Sequence, residues 1–157
     1  MDAQAAHEAT YSILMTALAG ANIIYGPGML DFGITVDYGQ LLFCNDMIRM
    51  ARRCLDGIEI NPETLAVDLI DKIGPAGNFL FEEHTMKHMK EEQIQPDLID
   101  RTMRYHWEEK GSKTLTEFAK IKAKEILANY QPKQLPDSVK GQIDDIFVRA
   151  KNELLLD

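Results

Sequence analysis

The chain has 157 residues, 45% of them hydrophobic and 27% charged, with a formal net charge of −8 at pH 7. This is the composition of a soluble globular protein, and no segment approaches the run of about 18 apolar residues that a membrane-spanning helix needs. The lysines and arginines are spread among acids, so the chain lacks the basic face typical of nucleic-acid-binding proteins. These features exclude a membrane protein and argue against a nucleic-acid partner. The acidic start MDAQAAHEAT differs from a secretory signal and favours a cytoplasmic location.

The first 36 residues predict a helix, a short strand and a loop. Residues 2–19 carry apolar side chains at helical spacing and end at Gly20, a residue type that favours helix ends. The run Asn-Ile-Ile-Tyr at 22–25 is apolar and β-branched, and a Gly-Pro-Gly turn closes it, which is the pattern of a buried parallel strand. Residues 29–36 show no clear period and predict a loop.

The rest of the chain predicts helices. A capping pattern at Asp37 and Gln40 starts a long helix that Gly57 stops, and both cysteines, Cys44 and Cys54, fall inside it. Ten residues of helix separate the two thiols by about 15 Å, too far for a disulfide, so we expect both to be reduced. The buried positions predicted in this helix are Leu41, Leu42, Cys44, Ile48, Met50 and Ala51. Further helices are predicted over residues 61–73, 82–92, 96–110, 114–130 and 137–155.

A single buried strand among so many helices raises the question of where its partners lie. The backbone N–H and C=O groups of a buried strand need neighbouring strands to pair with. Either residues 22–25 connect two helices in an all-α domain, or their sheet partners lie upstream of residue 1. The short apolar run is compatible with both interpretations.

Four separated blocks of the sequence resemble one known family. They are DAQAAHEA at 2–9, ALAGANIIYGPGMLDFG at 17–33, GPAGNFLFEEHTMKHMKEE at 74–92 and WEEKGSKTLTEFAKIKAKEIL at 107–127. They occur in the expected order, cover nearly the whole chain, and together resemble the carboxy-terminal region of the trimethylamine methyltransferase family. The resemblance implies an α/β fold, namely the carboxy-terminal part of a (β/α)₈ barrel that is predominantly helical in this portion.

The resemblance also implies an activity. Members of the family move a methyl group from a methylated amine, such as trimethylamine, to the cobalt of a separate corrinoid protein, as in methanogenesis from methylamines. The corrinoid (cobalamin) cofactor would be carried by that partner, and we expect no cofactor bound directly to this chain. The implied partners are a corrinoid protein, a small methylated amine and further copies of the same chain in a homo-oligomer.

Some members of the family contain pyrrolysine shortly before the block that resembles residues 2–8, and others lack it and act on quaternary amines such as glycine betaine. We therefore expect the chain to begin just after the reaction centre, with the catalytic residues upstream of residue 1 and no activity of its own. Residues 1–60 would hold the last barrel strand or strands with their helices, and residues 61–157 a helical extension packed on the barrel. The competing hypothesis is a free-standing helical interaction domain that recruits a partner through methionine-rich and acidic surfaces.

The resemblance places the loop after residues 22–25 at the mouth of a barrel, where barrel enzymes carry out their chemistry. We therefore predict Tyr25, Gly26, Met29 and Asp31 as substrate-binding residues. An aromatic ring at this position can attract a quaternary ammonium by cation–π interaction, and a carboxylate adds a complementary charge. The alternative is an ordinary turn in which Tyr25 is half buried and Asp31 is solvated.

Three histidines lie where they could carry chemistry. His84 and His88 are four residues apart, so a helix would place both on one face at metal-ligand spacing, with Glu83 and Glu91 nearby. The sequence specifies no third ligand, so a surface or interface pair is the favoured interpretation and no metal site is predicted. His7 lies close to the expected reaction centre, and a polar position on the helix surface is favoured for it.

Overall fold

The computed structural model describes residues 1–154, and its first element is helix α1, Ala3–Leu18. The carboxylate of Asp2 caps this helix by accepting the backbone N–H of Ala5 at 2.9 Å. Gly20, with φ +81°, leads the chain out of it. The predicted first helix and its end are confirmed.

The strand predicted at residues 22–25 is not formed. The structure assigns neither strand nor helix to these residues. The side chains of Ile23 and Tyr25 are 84% and 85% exposed, so the segment is not buried either. The physical reason is the absence of a partner: within residues 1–154, the only sheet is a separate two-stranded hairpin.

That hairpin lies in the stretch predicted to be a loop. Strand β1, Met29–Leu30, pairs antiparallel with strand β2, Thr35–Val36, and Met29 lies opposite Val36. A 3₁₀ turn, Asp31–Gly33, joins the two strands. The loop prediction is therefore wrong at both ends of the stretch, because apolar periodicity does not reveal pairs as short as these.

Helix α2, Tyr38–Leu55, follows the hairpin directly. Its predicted start is confirmed, since the carboxylate of Asp37 accepts the backbone N–H of Gln40 at 2.7 Å. Cys44 is buried and Cys54 is exposed, and both are free thiols, as expected.

The buried face of α2 differs in part from the predicted one. Two predicted positions, Cys44 and Ala51, are buried. Leu41 is instead 39% exposed, and the other three predicted positions are only partly buried. The buried residues of α2 are Gly39, Gln40, Phe43, Cys44, Asp46, Met47 and Ala51. Two of them are polar, which is why an apolar pattern placed the face at the wrong angle.

Four short helices follow: α3 Pro62–Leu65, α4 Val67–Ile73, α5 Glu83–His88 and α6 Arg104–Glu109. The helix predicted over residues 61–73 is split, because Ala66 adopts a left-handed backbone with φ +48° between α3 and α4. The helix predicted over residues 96–110 is reduced to α6. Before α6, the side chain of Asp100 accepts the backbone N–H of Thr102 at 2.8 Å and holds a local turn in place of helix.

Two longer helices complete the described chain, α7 Leu115–Asn129 and α8 Asp137–Leu154. The predicted helix start at residue 114 is confirmed by a capping box before α7. The backbone N–H of Thr114 donates to the Glu117 carboxylate at 2.8 Å, and the N–H of Glu117 donates to the Thr114 hydroxyl at 3.3 Å. The predicted end of the last helix, at residue 155, lies outside the described residues.

The chain divides into two compact units, Met1–Glu125 and a second unit that begins at Ile126. The apolar core belongs to the first unit and consists of Ile13, Phe43, Cys44, Met47, Ala51, Leu98 and Ala119. In the second unit, no described residue of α8 is buried. The predominantly helical character is confirmed. The assignment of residues 1–60 to the end of a barrel and of residues 61–157 to a helical extension stays a prediction. Among the described residues, no helix is long and apolar enough to cross a membrane.

Candidate functional site

A cavity of about 620 Å³ is lined by α1, by the segment of residues 23–33 and by α2. All four residues predicted to bind substrate line it: Tyr25, Gly26, Met29 and Asp31. The structure therefore brings these residues together around one space, and their contact with a substrate stays a prediction.

Two glycines allow the sharp turn of the backbone between Tyr25 and Met29, beside this cavity. Gly26 and Gly28 have φ values of +99° and +82°, a backbone region that residues other than glycine rarely adopt. The carbonyl of Gly28 accepts the backbone N–H of Asp37 at 2.9 Å, which joins the hairpin to the cap of α2. A Cβ atom at Gly28 would lie only 2.8 Å from the Cβ of Leu41. Any larger residue at position 28 would therefore push the hairpin away from α2.

The tip of the hairpin is strained. Asp31 and Phe32 have φ values of +51° and +52°, so two consecutive non-glycine residues occupy the left-handed region. Such conformations cost on the order of 1–2 kcal/mol per residue and concentrate at functional sites. In the sequence, only Gly33, which has φ +85°, indicates a left-handed turn at this point.

Helix α1 contributes a polar stripe to the cavity that the sequence analysis missed. Glu8, Ser12 and Thr16 all line the cavity, and their spacing of four residues places them on one face of the helix. That spacing was the available signal. His7, by contrast, is exposed on α1 and is not among the residues that line the cavity.

Helix α2 contributes a buried amide to the same cavity. Gln40 is 2% exposed, and its Nε2 donates to the carbonyl of Ala5 at 3.2 Å and lies 3.7 Å from the sulfur of Cys44. Its Oε1 is buried and has no hydrogen-bond partner within the described part of the chain. An unpaired buried acceptor is costly, so this oxygen marks a place where a donor from elsewhere would stabilise the protein.

The lining of the cavity suits a cation. It contains two carboxylates, Glu8 and Asp31, and two aromatic rings, Tyr25 and Phe32, and no lysine, arginine or histidine is among its lining residues. Carboxylates attract an ammonium by charge, and the faces of aromatic rings attract it through their quadrupole. A small organic cation therefore matches the chemistry of this lining better than an anion does.

A second polar cluster joins α5 to α3. His84 and His88 lie on one face of α5, as their spacing predicts, with ring centroids 4.4 Å apart. The acid that joins them is Glu63 of α3, and not Glu83 or Glu91 of their own segment. One ligand atom from each of the three side chains lies within 4.8 Å of the other two.

Charge shapes the ionisation of this cluster. The Lys87 ammonium donates to the Glu63 carboxylate at 2.7 Å. This hydrogen bond, followed by that from His88, lowers the pKa of Glu63 from its ordinary value of 4.5. The same bond raises the pKa of Lys87 above 10.5. Glu63 is therefore ionised under neutral conditions.

The comparison with known proteins decides the family. The family model described as trimethylamine methyltransferase (MTTB) matches residues 1–155. The chain belongs to this family.

Curated relatives agree with this membership. A protein of Desulfitobacterium hafniense named trimethylamine methyltransferase MttB is 47% identical over 152 residues, which are 97% of this chain and 30% of the relative. The trimethylamine methyltransferase MttB of Methanosarcina thermophila is 42% identical over 134 residues, 85% of this chain and 28% of the relative. A glycine betaine methyltransferase of Desulfitobacterium hafniense is 27% identical over 155 residues, 98% of this chain and 32% of the relative.

The chain thus spans about 30% of the length of the curated relatives it matches. The resemblance stated from four sequence blocks is confirmed as family membership. The cavity is lined by residues of two blocks that carried the resemblance, since Glu8 belongs to the first block and Tyr25 to Asp31 belong to the second.

Proposed function

We propose that the chain is the carboxy-terminal portion of a methyltransferase that takes a methyl group from trimethylamine, or a related methylated amine, and passes it to a corrinoid protein. The observation that carries this proposal is the family match over residues 1–155, together with 47% identity to a trimethylamine methyltransferase. The methyl group leaves with its N–C bond broken and the electron pair retained by nitrogen. A reduced corrinoid, carried by the partner protein, would supply the electron pair for the new bond to the methyl group.

In this proposal the cavity binds the amine. Tyr25 offers a ring face to the methylated ammonium, and Asp31 and Glu8 supply negative charge. Gly26 allows the turn that places Tyr25, and Met29 forms part of the apolar wall. The catalytic residues lie in the part of the protein that precedes residue 1, so this portion alone transfers no methyl group.

The exposed apolar residues around the cavity support a portion of a larger protein over a free-standing helical domain. Ile23 and Ile34 are each more than four-fifths exposed. A domain that folds for itself rarely leaves such a band uncovered. In the whole protein, barrel strands that precede residue 1 would pair with residues 22–25 and cover these side chains.

A chimera tests the proposal. This chain would replace the matching carboxy-terminal segment of the Desulfitobacterium trimethylamine methyltransferase, and methyl transfer from trimethylamine to its corrinoid protein would be measured. We expect the chimera to be active and the isolated chain to be inactive. In the chimera, Tyr25→Ala and Asp31→Asn should raise KM for trimethylamine by roughly tenfold, in line with the loss of one desolvated cation contact.

The matched control for these variants is Tyr11→Ala, which removes an exposed tyrosine of α1 that does not line the cavity. A chimera that folds, as judged by circular dichroism and gel filtration, but transfers no methyl group from trimethylamine would contradict the proposal. Activity of the isolated chain would contradict the placement of the catalytic residues upstream.

A further inference from the structure

We propose that Glu63, His84 and His88 form a binding site for a divalent first-row transition metal ion of the zinc type. The site lies between α3 and α5 and shares no residue with the cavity described above. It is independent of the proposed methyl transfer, because no step of that reaction uses it.

The donor set is the first argument. Two imidazoles and one carboxylate are a common set of protein ligands for Zn²⁺, and a set of three leaves a further position for water. The ligand atoms of the three side chains already lie within 4.8 Å of one another. Ligand atoms around a tetrahedral zinc ion lie about 3.4 Å apart. Side-chain rotations that move the ligand atoms by roughly 1 Å would therefore bring them to coordination distance.

The position of the ligands is the second argument. Two of them are four residues apart on α5, and the third comes from α3, 21 residues before His84, where Pro62 and the Asn61 cap fix the backbone. Asn61 and Thr64 hold each other in a reciprocal capping box, so the acid is carried by a defined turn. The three ligands therefore come from two local structures that are each held by their own hydrogen bonds.

A hydrogen bond outside the donor set is the third argument. One ring nitrogen of His84 lies 2.8 Å from the backbone carbonyl of Glu63. A histidine that binds metal usually donates its second N–H to a carbonyl or carboxylate, which fixes the tautomer and leaves the other nitrogen with its lone pair. The contact of His84 has this form.

Lys87 competes with the metal for Glu63. Its ammonium lies 2.7 Å from Oε1 of Glu63, the same oxygen that lies 3.3 Å from Nε2 of His88. A metal ion must therefore displace this ammonium or bind beside it, and the positive charge weakens its affinity. Removal of the charge at position 87 should strengthen metal binding.

The test is titration of the full chain with Zn²⁺ by calorimetry, and with Co²⁺ by visible absorbance, which reports the coordination of the ion directly. We expect one ion per chain. His84→Ala, His88→Ala and Glu63→Gln should each weaken the affinity at least tenfold, in line with the loss of one ligand, and Lys87→Met should tighten it by about three- to tenfold.

The matched control is His106→Ala. His106 lies 3.2 Å from Glu109 on α6, so it is also a helical histidine beside a carboxylate, but it has no third partner in a metal-type cluster among the described residues. Its loss should leave Zn²⁺ affinity unchanged. The proposal is overturned if the chain binds no Zn²⁺, or if the three ligand variants bind it as well as His106→Ala does. It is also overturned if Lys87→Met weakens binding, because that result would indicate that the cluster is only a salt-bridge network.

Discussion

The α1–α2 pair and the stretch of residues 52–97 are held together by different forces. The pair buries apolar side chains such as Ile13 and Phe43 and encloses a buried carboxylate, Asp46. Residues 52–97 are all described, and none of them is buried. Ion pairs join parts of this stretch that are separated in sequence: Arg53 pairs with Glu92, Lys72 with Glu82 at 3.1 Å, and Lys87 with Glu63 at 2.7 Å.

The two regions therefore obtain their stability from different sources. Apolar burial contributes roughly 25 cal/mol per Å², whereas an exposed ion pair contributes only about 0–1 kcal/mol. Residues 52–97 also expose many large apolar side chains: Ile58, Ile60, Leu65, Val67, Ile70, Leu80 and Phe81. A chain that spans about 30% of its relatives is expected to leave such surfaces for the remainder of the protein to cover.

The largest effect is expected at Asp46, which joins α2 to the segment before α6. Asp46 is 1% exposed, and its carboxylate accepts the backbone N–H of Leu98 at 2.9 Å and pairs with Arg49 at 3.3 Å. Asp46→Ala should lower the free energy of unfolding by about 3 kcal/mol, because it leaves a buried N–H unpaired and removes the anion beside Arg49. Urea denaturation followed by circular dichroism measures this loss.

Two variants calibrate that measurement. Asp97 supplies the other carboxylate that pairs with Arg49, and its side chain is 71% exposed. Asp97→Ala should lower the free energy of unfolding by less than about 1 kcal/mol. Asp46→Asn keeps an acceptor for Leu98 and should fall between the two. Equal losses for Asp46→Ala and Asp97→Ala would contradict the assignment of stability to the buried contact.

A smaller effect is expected at Gly28, where the hairpin meets α2. Gly28→Ala should destabilise the chain by about 2 kcal/mol, since it combines a left-handed backbone with a Cβ contact of 2.8 Å to Leu41. Gly20→Ala is the matched control, because Gly20 has nearly the same φ, +81°, but no atom within 4 Å of the added Cβ. It should cost about 1 kcal/mol from backbone strain alone. Thermal melts that rank the two variants equally would rule out a tight hairpin–α2 contact.

The sequence predicted this architecture best where the signal was local. The caps at Asp37 and Thr114 and the helix start at Asn61 depend on side chains that bond the backbone within three residues, and all three are confirmed. The glycines predicted to end helices, Gly20 and Gly57, are local signals of the same kind, and both have positive φ.

The sequence failed where distant residues decide. Asp46 is buried because it accepts the N–H of Leu98, 52 residues away, and no periodicity reveals such a partner. The break at Ala66 is invisible because alanine normally favours helix, and here it adopts a left-handed backbone. Segment 22–25 has the composition of a strand, but composition cannot supply a neighbouring strand.

The candidate sites show the same division. The sequence placed Tyr25 and Asp31 in one short loop, so their appearance around one cavity required only local folding. It could not add Gln40, which reaches the cavity through the packing of α1 on α2. Nor could it choose Glu63 over Glu83 as the acid beside the histidines, because that choice depends on how α3 lies against α5.

The smallest effect is expected in the polar region, at Glu63. Its pKa lies below 4.5 in the folded chain, chiefly because Lys87 donates to its carboxylate. Because the pKa of Glu63 is lowered in the folded chain, its contact with Lys87 stabilises the packing of α3 on α5 fully above pH 4.5. This contribution is lost as pH falls through the folded pKa.

Lys87→Gln should return the pKa of Glu63 toward 4.5, measured by NMR titration of the side-chain carboxyl carbon. The pKa of Glu117 is lowered instead by hydrogen bonds from Thr114, so it should keep its value in this variant. Because Glu63 is solvent-exposed, added salt should weaken the pKa shift of Glu63, while the midpoint of unfolding hardly changes. A large loss of global stability in Lys87→Gln would show that residues 52–97 depend on the core more than their polar contacts suggest.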